Sequence, residues 1–326
     1  MTCIPGGTIA LRVLWPGFAR QFDACVSSIR QKAGTVNNIA QTHMVAEKKE
    51  QQLDHANRER WKKGAEAERR QKTFDLVSTL DYETHHSRIL GTRCDGTGLW
   101  FTVQDSFRSW LDQATSSHCW CYGAAGSGKT VLAASIIDQL APRYETKSSA
   151  LAYYYCDYAK SSTLDANTVL RTLARQLFER AELTDGIANE IRHIFEDRTT
   201  RPSFETILDL LIESLDPFSN ILLVVDGLDE LDREAQVAVI RAMKRISSQR
   251  DRIVKVLIFS RWGESFKRAF SGGPSIGITP NHLQNDIARY VTQCVEDNLK
   301  SGVLPIQDPS LKHHVIETLR AGAEGL

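Results

Sequence analysis

The residue types best suited to chemistry are gathered in one octapeptide, Gly123-Ala124-Ala125-Gly126-Ser127-Gly128-Lys129-Thr130. It fits the pattern G-x-x-x-x-G-K-[ST], which a random chain of this length meets with a chance of roughly one per cent. Small residues let backbone N–H groups converge on an anion, and a helix starting at the end of the loop adds its positive dipole end. The lysine supplies a charge for β- and γ-phosphates, and the threonine hydroxyl a ligand for Mg2+. Gly123, Gly126, Ser127, Gly128, Lys129 and Thr130 are therefore the expected phosphate cradle, with Thr130 also on the metal.

A second group follows a wholly apolar run: Ile221-Leu-Leu-Val-Val and then Asp226-Gly227-Leu228-Asp229-Glu230. Five apolar residues predict a buried central strand with Asp226 at its carboxyl end, where open α/β sheets bind ligands. Asp226 is the expected holder of Mg2+. Asp229 and Glu230 are candidates for orienting or deprotonating an attacking water. A third strand-like run, Val254–Phe259, ends on Ser260-Arg261, and Arg261 could read the γ-phosphate through a charge-assisted contact. Blander readings stand beside these. Acids after a strand also make turns and helix caps, and an arginine at a strand end also simply leaves the core.

These residues need a frame. From about 116 to 280, strand-like runs at His118–Tyr122, Ala150–Cys156, Ile221–Val225, Val254–Phe259 and Ser275–Thr279 alternate with amphipathic stretches near 129–140, 165–180, 203–215 and 232–249. Such alternation predicts a parallel sheet with helices on both faces, an α/β P-loop NTPase domain. Residues 1–85 read as a helical N-terminal region. Residues 86–115 read as a glycine-rich connector and a short helix that buries Phe107, Trp110 and Leu111. Residues 281–326 read as a helical lid segment that stops without a terminating turn, as a fragment would.

Composition narrows the function classes. Lys+Arg and Asp+Glu balance at 40 each, which gives no global charge for nucleic acid or an acidic membrane. The segment Glu47–Lys72 carries nine basic and six acidic residues interleaved, the pattern of a solvated helix. No apolar run approaches membrane-spanning length. Met1–Phe18 lacks a basic start and is broken by Pro5, Gly6, Gly7 and Pro16, so no secretory signal is expected. Seven cysteines, odd in number and irregular in spacing, suit reduced thiols in the cytoplasm. Cys119 and Cys121 are expected as buried apolar residues on one strand face, and His85-His86 and His313-His314 as surface or partly buried pairs with no role in a metal array. No Asn-Lys-x-Asp element for guanine is present, so ATP is expected ahead of GTP.

The connector Gly96-Thr97-Gly98-Leu99-Trp100, the loop Gly123–Thr130, the run Ala150–Cys156 with Asp157-Tyr158, the helix Thr172–Leu177 and Asp226-Gly-Leu-Asp229-Glu230 together resemble the NACHT NTPases of filamentous fungi. The resemblance is to the nephrocystin-type N-terminal branch and covers about residues 80–326. It implies a signal-transduction ATPase of the STAND class, a switch that opens and self-associates when C-terminal repeats sense a ligand. In fungi such proteins are associated with non-self recognition and regulated cell death. Carried onto this sequence, it places Lys129 and Thr130 on phosphate and Mg2+, Asp226 on Mg2+, Asp229 on water and Arg261 as sensor, with Thr97 and Gly98 bordering base or ribose. Protein partners are expected through the N-terminal helices or through repeats, and the winged helix and repeats of the family do not occur within these residues.

Overall fold

The computed structural model describes residues 18–181, 183–196, 201–306 and 308–323. The stretch judged not to be a secretory signal, up to residue 17, and the chain end Gly325-Leu326 lie outside them. The chain divides into two compact units at Arg69/Arg70. The first is, among the described residues, a single stretch of helix α1 (Phe18–Val77). No proline interrupts it, and Asp54–Arg58 and Glu59–Lys62 pairs at 3.7 and 3.4 Å brace its surface. Its apolar residues stay in solvent: Ile29, Val36 and Trp61 are 62%, 66% and 80% exposed.

The second unit opens with the last turns of α1. The end of that helix leaves carbonyls without intrahelical donors, and arginines supply them. Arg171 donates from Nη2 to Leu76 O at 2.8 Å and from Nε to Val77 O, and Arg175 donates to Ser78 O. The helical reading of residues 1–85 is thus broken after Val77. Asp81 then caps α2 (Tyr82–Leu90) by accepting from Thr84 N at 3.0 Å. Short helices α3 (Leu99–Thr102) and α4 (Asp105–Asp112) follow, and Phe107, Trp110 and Leu111 of α4 are buried as their spacing requires.

The sheet unit then alternates as expected. β1 (Ser117–Tyr122) leads to α5 (Lys129–Leu140), β2 (Ser149–Tyr155) to α6 (Ala166–Arg180), α7 (Asp185–Glu196) and α8 (Phe204–Glu213), β3 (Asn220–Asp226) to α9 (Arg233–Ser247), and β4 (Ile253–Ser260) to α10 (Glu264–Ala269). β5 (Ser275–Gly277) is only three residues long, and α11 (Pro280–Lys300) and α12 (Pro309–Ala323) close the described chain. α7 is a helix the sequence reading did not anticipate. All five strands are parallel, in the order β2-β3-β4-β1-β5.

Successive β3 side chains alternate between two cores. Ile221, Leu223 and Val225 pack with α6, α8 and α9, while Leu222 and Val224 pack with α4 and α5. All five are fully buried, a burial worth on the order of 10 kcal/mol. β3 therefore holds whatever follows it in a fixed place. Cys119 and Cys121 are fully buried in the α5-side core, as their spacing suggested. The neighbouring histidines His85 and His86 are half-buried, and both reach Tyr155, with ring centroids 5.5 and 6.0 Å away. Among the described residues no helix is long and apolar enough to cross a membrane.

Candidate functional site

The loop between β1 and α5 is set by two glycines. Gly126 and Gly128 both have φ of +77°, a conformation that disfavours any side chain, and a Cβ at either would meet no atom within 4 Å. The loop thus turns sharply, and both glycines border open space. Lys129 begins α5 and folds back, donating from Nζ to Gly123 O at 3.0 Å and Ala124 O at 2.7 Å. Thr130 is exposed beside it. Ser127 Oγ is buried without a hydrogen-bond partner among the described residues.

Strand order brings the other candidates in. β4 lies between β1 and β3, so its end bridges the loop and the acids. Gly123 N donates to Ser260 O at 3.3 Å, and the next residue, Arg261, meets Asp229. Arg261 N donates to Asp229 Oδ1 at 2.9 Å, and Arg261 Nε lies 3.1 Å from Asp229 Oδ2. Both oxygens of Asp229 are therefore engaged by one arginine. Glu230 accepts from Tyr158 N at 2.6 Å, which ties it to the loop after β2. Burial raises its carboxyl above the usual range, and the Tyr158 amide draws it partly back.

Asp226 differs from both. It is 1% exposed, and neither carboxylate oxygen has a hydrogen-bond partner of good geometry among the described residues. Burial lifts its pKa to about 7, although the nearby Thr130 hydroxyl and the Lys129 charge pull the other way. A buried carboxylate in this condition fits a cation site, since buried charges are ordinarily paired or coordinate metals. The donor set suits Mg2+: one carboxylate and one hydroxyl beside a phosphate-sized cradle.

Gly227 explains why the acids come late. Its φ is +71°, and a Cβ there would lie 2.7 Å from the carbonyl oxygen of Cys156 on the neighbouring chain segment. The turn carries the chain on to a 3-10 turn at Leu228–Glu230, which presents Asp229 to Arg261.

Thr97 and Gly98 sit on the other flank. Thr97 Oγ1 donates to Cys94 O at 2.7 Å, within its own turn. Gly98 lies against α5, where a Cβ would approach Leu132 Cδ1 to 3.1 Å and Ser135 Oγ to 3.3 Å. Its amide donates to Asp286 Oδ2 at 2.9 Å, and Trp100 Nε1 donates to the same oxygen at 3.1 Å. Sequence reasoning missed Asp286 and its neighbours on α11. Their signal was a polar stripe at helical spacing, His282, Asp286, Arg289 and Gln293.

With this geometry in place, comparison with known proteins is informative. Residues 96–261, half of the chain, match the family described as Nephrocystin 3, N-terminal. The chain belongs to that nephrocystin 3 N-terminal family. The matched residues run from the connector through the phosphate loop and Asp226 to Arg261, so the nephrocystin-type resemblance holds across the whole candidate site. The chain is also similar to the vegetative incompatibility protein HET-E-1 of Podospora anserina, 27% identical over 135 residues, covering 40% of this chain and 10% of that protein. This nephrocystin-type chain therefore aligns with only a tenth of that relative. Among solved structures it is similar to the Orc1 protein of Aeropyrum pernix, solved in complex with DNA, at 14% identity and a TM-score of 0.41 over 64% of this chain and 55% of the other. It is likewise similar to Cdc6p of Pyrobaculum aerophilum, at 15% identity and 0.38 over 59% and 48%.

Proposed function

We propose that this chain is the nucleotide-binding switch of a NACHT-type signalling protein, one that takes Mg·ATP on Gly123–Thr130 and hydrolyses it slowly. The observation that carries the reading is Asp226, buried with two unpartnered oxygens beside Thr130 and an open glycine loop. Lys129, now held by Gly123 and Ala124 carbonyls, would exchange those weak acceptors for phosphate oxygens. Thr130 and Asp226 would hold the Mg2+, which would neutralise charge on the phosphates. Ser127, with its hydroxyl unpartnered, is a further donor on the cradle.

Slow turnover follows from the pairing of Asp229 with Arg261. Both oxygens of Asp229 are occupied by Arg261, so the pair must part before Asp229 can take a proton from water. Arg261 is 60% exposed and can turn toward a γ-phosphate, which would release Asp229 at the moment a triphosphate is present. ATP rather than GTP is the nucleotide in this reading. Self-association on activation, a cytoplasmic setting and a role in fungal non-self recognition or cell-death signalling belong to the same proposal, and the similarity to a vegetative incompatibility protein supports the last of these.

A second reading has its own support. Asp229 and Glu230 are both satisfied by protein partners, as turn residues would be. That suits a scaffold in which bound nucleotide is never cleaved, and multiple-turnover rates near zero would favour it. The test of binding itself is a titration of a fluorescent ATP analogue against wild type and Lys129→Ala. Lys129 is only half-buried and its hydrogen bonds go to two loop carbonyls, so the variant is expected to keep its fold and lose affinity at least tenfold. Equal affinities would end the phosphate-loop assignment.

A further inference from the structure

The flank of the phosphate loop opposite Asp226 holds a second built arrangement. On α11, His282, Asp286, Arg289 and Gln293 follow one another at intervals of four, three and four, so they share one helix face. Every one of them meets the connector. The His282 ring stacks on Trp100 with centroids 4.4 Å apart and planes 11° from parallel. Asp286 Oδ2 accepts from Gly98 N at 2.9 Å and Trp100 Nε1 at 3.1 Å. A Cβ on Gly96 would come within 2.7 Å of Arg289 Nη1, and Cys94 Sγ donates to Gln293 Oε1 at 2.8 Å.

The connector's other side lies on α5. Gly98 abuts Leu132 and Ser135, and Arg93 donates to Ser135 Oγ at 3.1 Å and pairs with Asp138 at 3.5 Å. The residues from Arg93 to Trp100 are thus wedged between α11 and the helix that begins with Lys129 and Thr130. Gly98 has φ of +76° and so cannot be replaced as the point of closest approach to α5. Among the described residues, Asp286 is the one member of the stripe with a hydrogen bond to the connector backbone, at Gly98. Burial raises its carboxyl, while the Gly98 amide, the Trp100 indole and the Arg289 charge draw it partly back.

We propose that Asp286 is a positioning residue for nucleotide retention: by gripping Gly98 and Trp100 it keeps the connector against the phosphate-loop helix, and α11 thereby sets the rate at which nucleotide leaves. This rests on the nucleotide-binding reading above. Among the described residues the hydrogen bonds of Asp286 go to the connector and none goes to the phosphate loop. Its loss should therefore open the exit and leave the cradle of Lys129 and Thr130 unaltered.

The experiment is a chase: fluorescent ATP analogue is pre-bound with Mg2+ to the full chain, and its release into excess ATP is timed. Wild type, Asp286→Ala, Asp286→Asn and Lys129→Ala are compared, with association rates and nucleotide-free melting temperatures measured in parallel. Asp286→Ala removes two hydrogen bonds and is expected to release nucleotide on the order of tenfold faster with its association rate unchanged. Asp286→Asn keeps an acceptor oxygen for both donors and is expected to stay near wild type, which a role resting on charge would not allow. Should Asp286→Ala fail to fold, Trp100→Phe removes one of the two bonds and is expected to give an intermediate release rate. Release from Asp286→Ala, or from Trp100→Phe where that replaces it, at the wild-type rate overturns the proposal. So does a fall in melting temperature with association and release altered together, because that marks general loosening. If wild type retains no nucleotide, or Lys129→Ala retains it equally well, the underlying reading falls and this inference with it.

Discussion

Two carboxylates flank the phosphate loop, and their surroundings are opposite. Asp226, at the end of β3, is almost fully buried, and among the described residues neither of its oxygens has a hydrogen-bond partner of good geometry. Asp286, on α11, shares one oxygen between a backbone amide and an indole. Proteins rarely leave a buried charge unpaired, so the first arrangement suits a cation and the second is a completed contact within the fold. Asp229 stands between the extremes, satisfied but by a single exposed arginine that can be drawn away. The contrast sorts the acids by their partners among the described residues: none of good geometry, one exposed arginine, or two donors of the connector.

The sharpest way to break this contrast is Asp226→Asn. A neutral amide holds the cation less well, so the Mg2+ dependence of nucleotide binding should vanish. Affinities measured with Mg2+ and with EDTA should differ in wild type and converge in the variant. A variant that keeps the full Mg2+ effect would show that the unpartnered oxygens have another purpose. Next in size comes Asp229→Asn. Binding should be spared, because Lys129, Thr130 and the loop amides still hold the phosphates. Single-turnover cleavage of pre-bound ATP should slow by about a hundredfold. Glu230→Gln should be milder, since its partner is the Tyr158 amide, from which a glutamine oxygen can still accept. If both variants cleave like wild type, the two acids are turn residues and belong with Asp286. The smallest effect is expected in the N-terminal helix: residues Glu47–Lys72 should bind neither RNA nor DNA at low salt, because their basic residues are interleaved with acids and few phosphates could be neutralised together. Tight binding with a steep salt slope would contradict that.

How much of this could be read from the sequence depends on the range of the signal. The phosphate loop and β3 were legible because each is a contiguous pattern: glycines at fixed offsets, or five apolar residues closed by an acid. The meeting of Asp229 with Arg261 was not, because residues 32 positions apart are joined only by strand order, and no local periodicity records that β4 lies beside β3. The connector shows the same limit. Thr97 and Gly98 stood out as a glycine-rich loop, but their partner lies 188 residues onward and appears in the sequence only as a polar stripe on a helix. The helix α7 escaped because Asp185-Gly186 opens it with turn residues, although Ile187, Ile191 and Ile194 carry a helical spacing behind them. In the N-terminal unit the apolar positions Phe22, Val26 and Ile29 keep helical spacing, and the helix forms, yet they stay largely in solvent. Periodicity there reports the helix and not what it packs against.

Gly227 has a consequence for the history open to this site. Many motor ATPases carry a glutamate directly after the metal-binding aspartate, and one might expect such a residue to be a single substitution away. Here that step is closed. The position requires a left-handed backbone, and any side chain would strike the Cys156 carbonyl at 2.7 Å. A lineage starting from this chain could acquire a fast-hydrolysis arrangement only by first separating β2 from β3 at their carboxyl ends, where they pair through Tyr155 and Asp226. Every intermediate on that path would disturb Asp226 itself. The acid-at-a-distance layout is therefore self-preserving: the glycine that permits it also blocks its replacement, one mutation at a time.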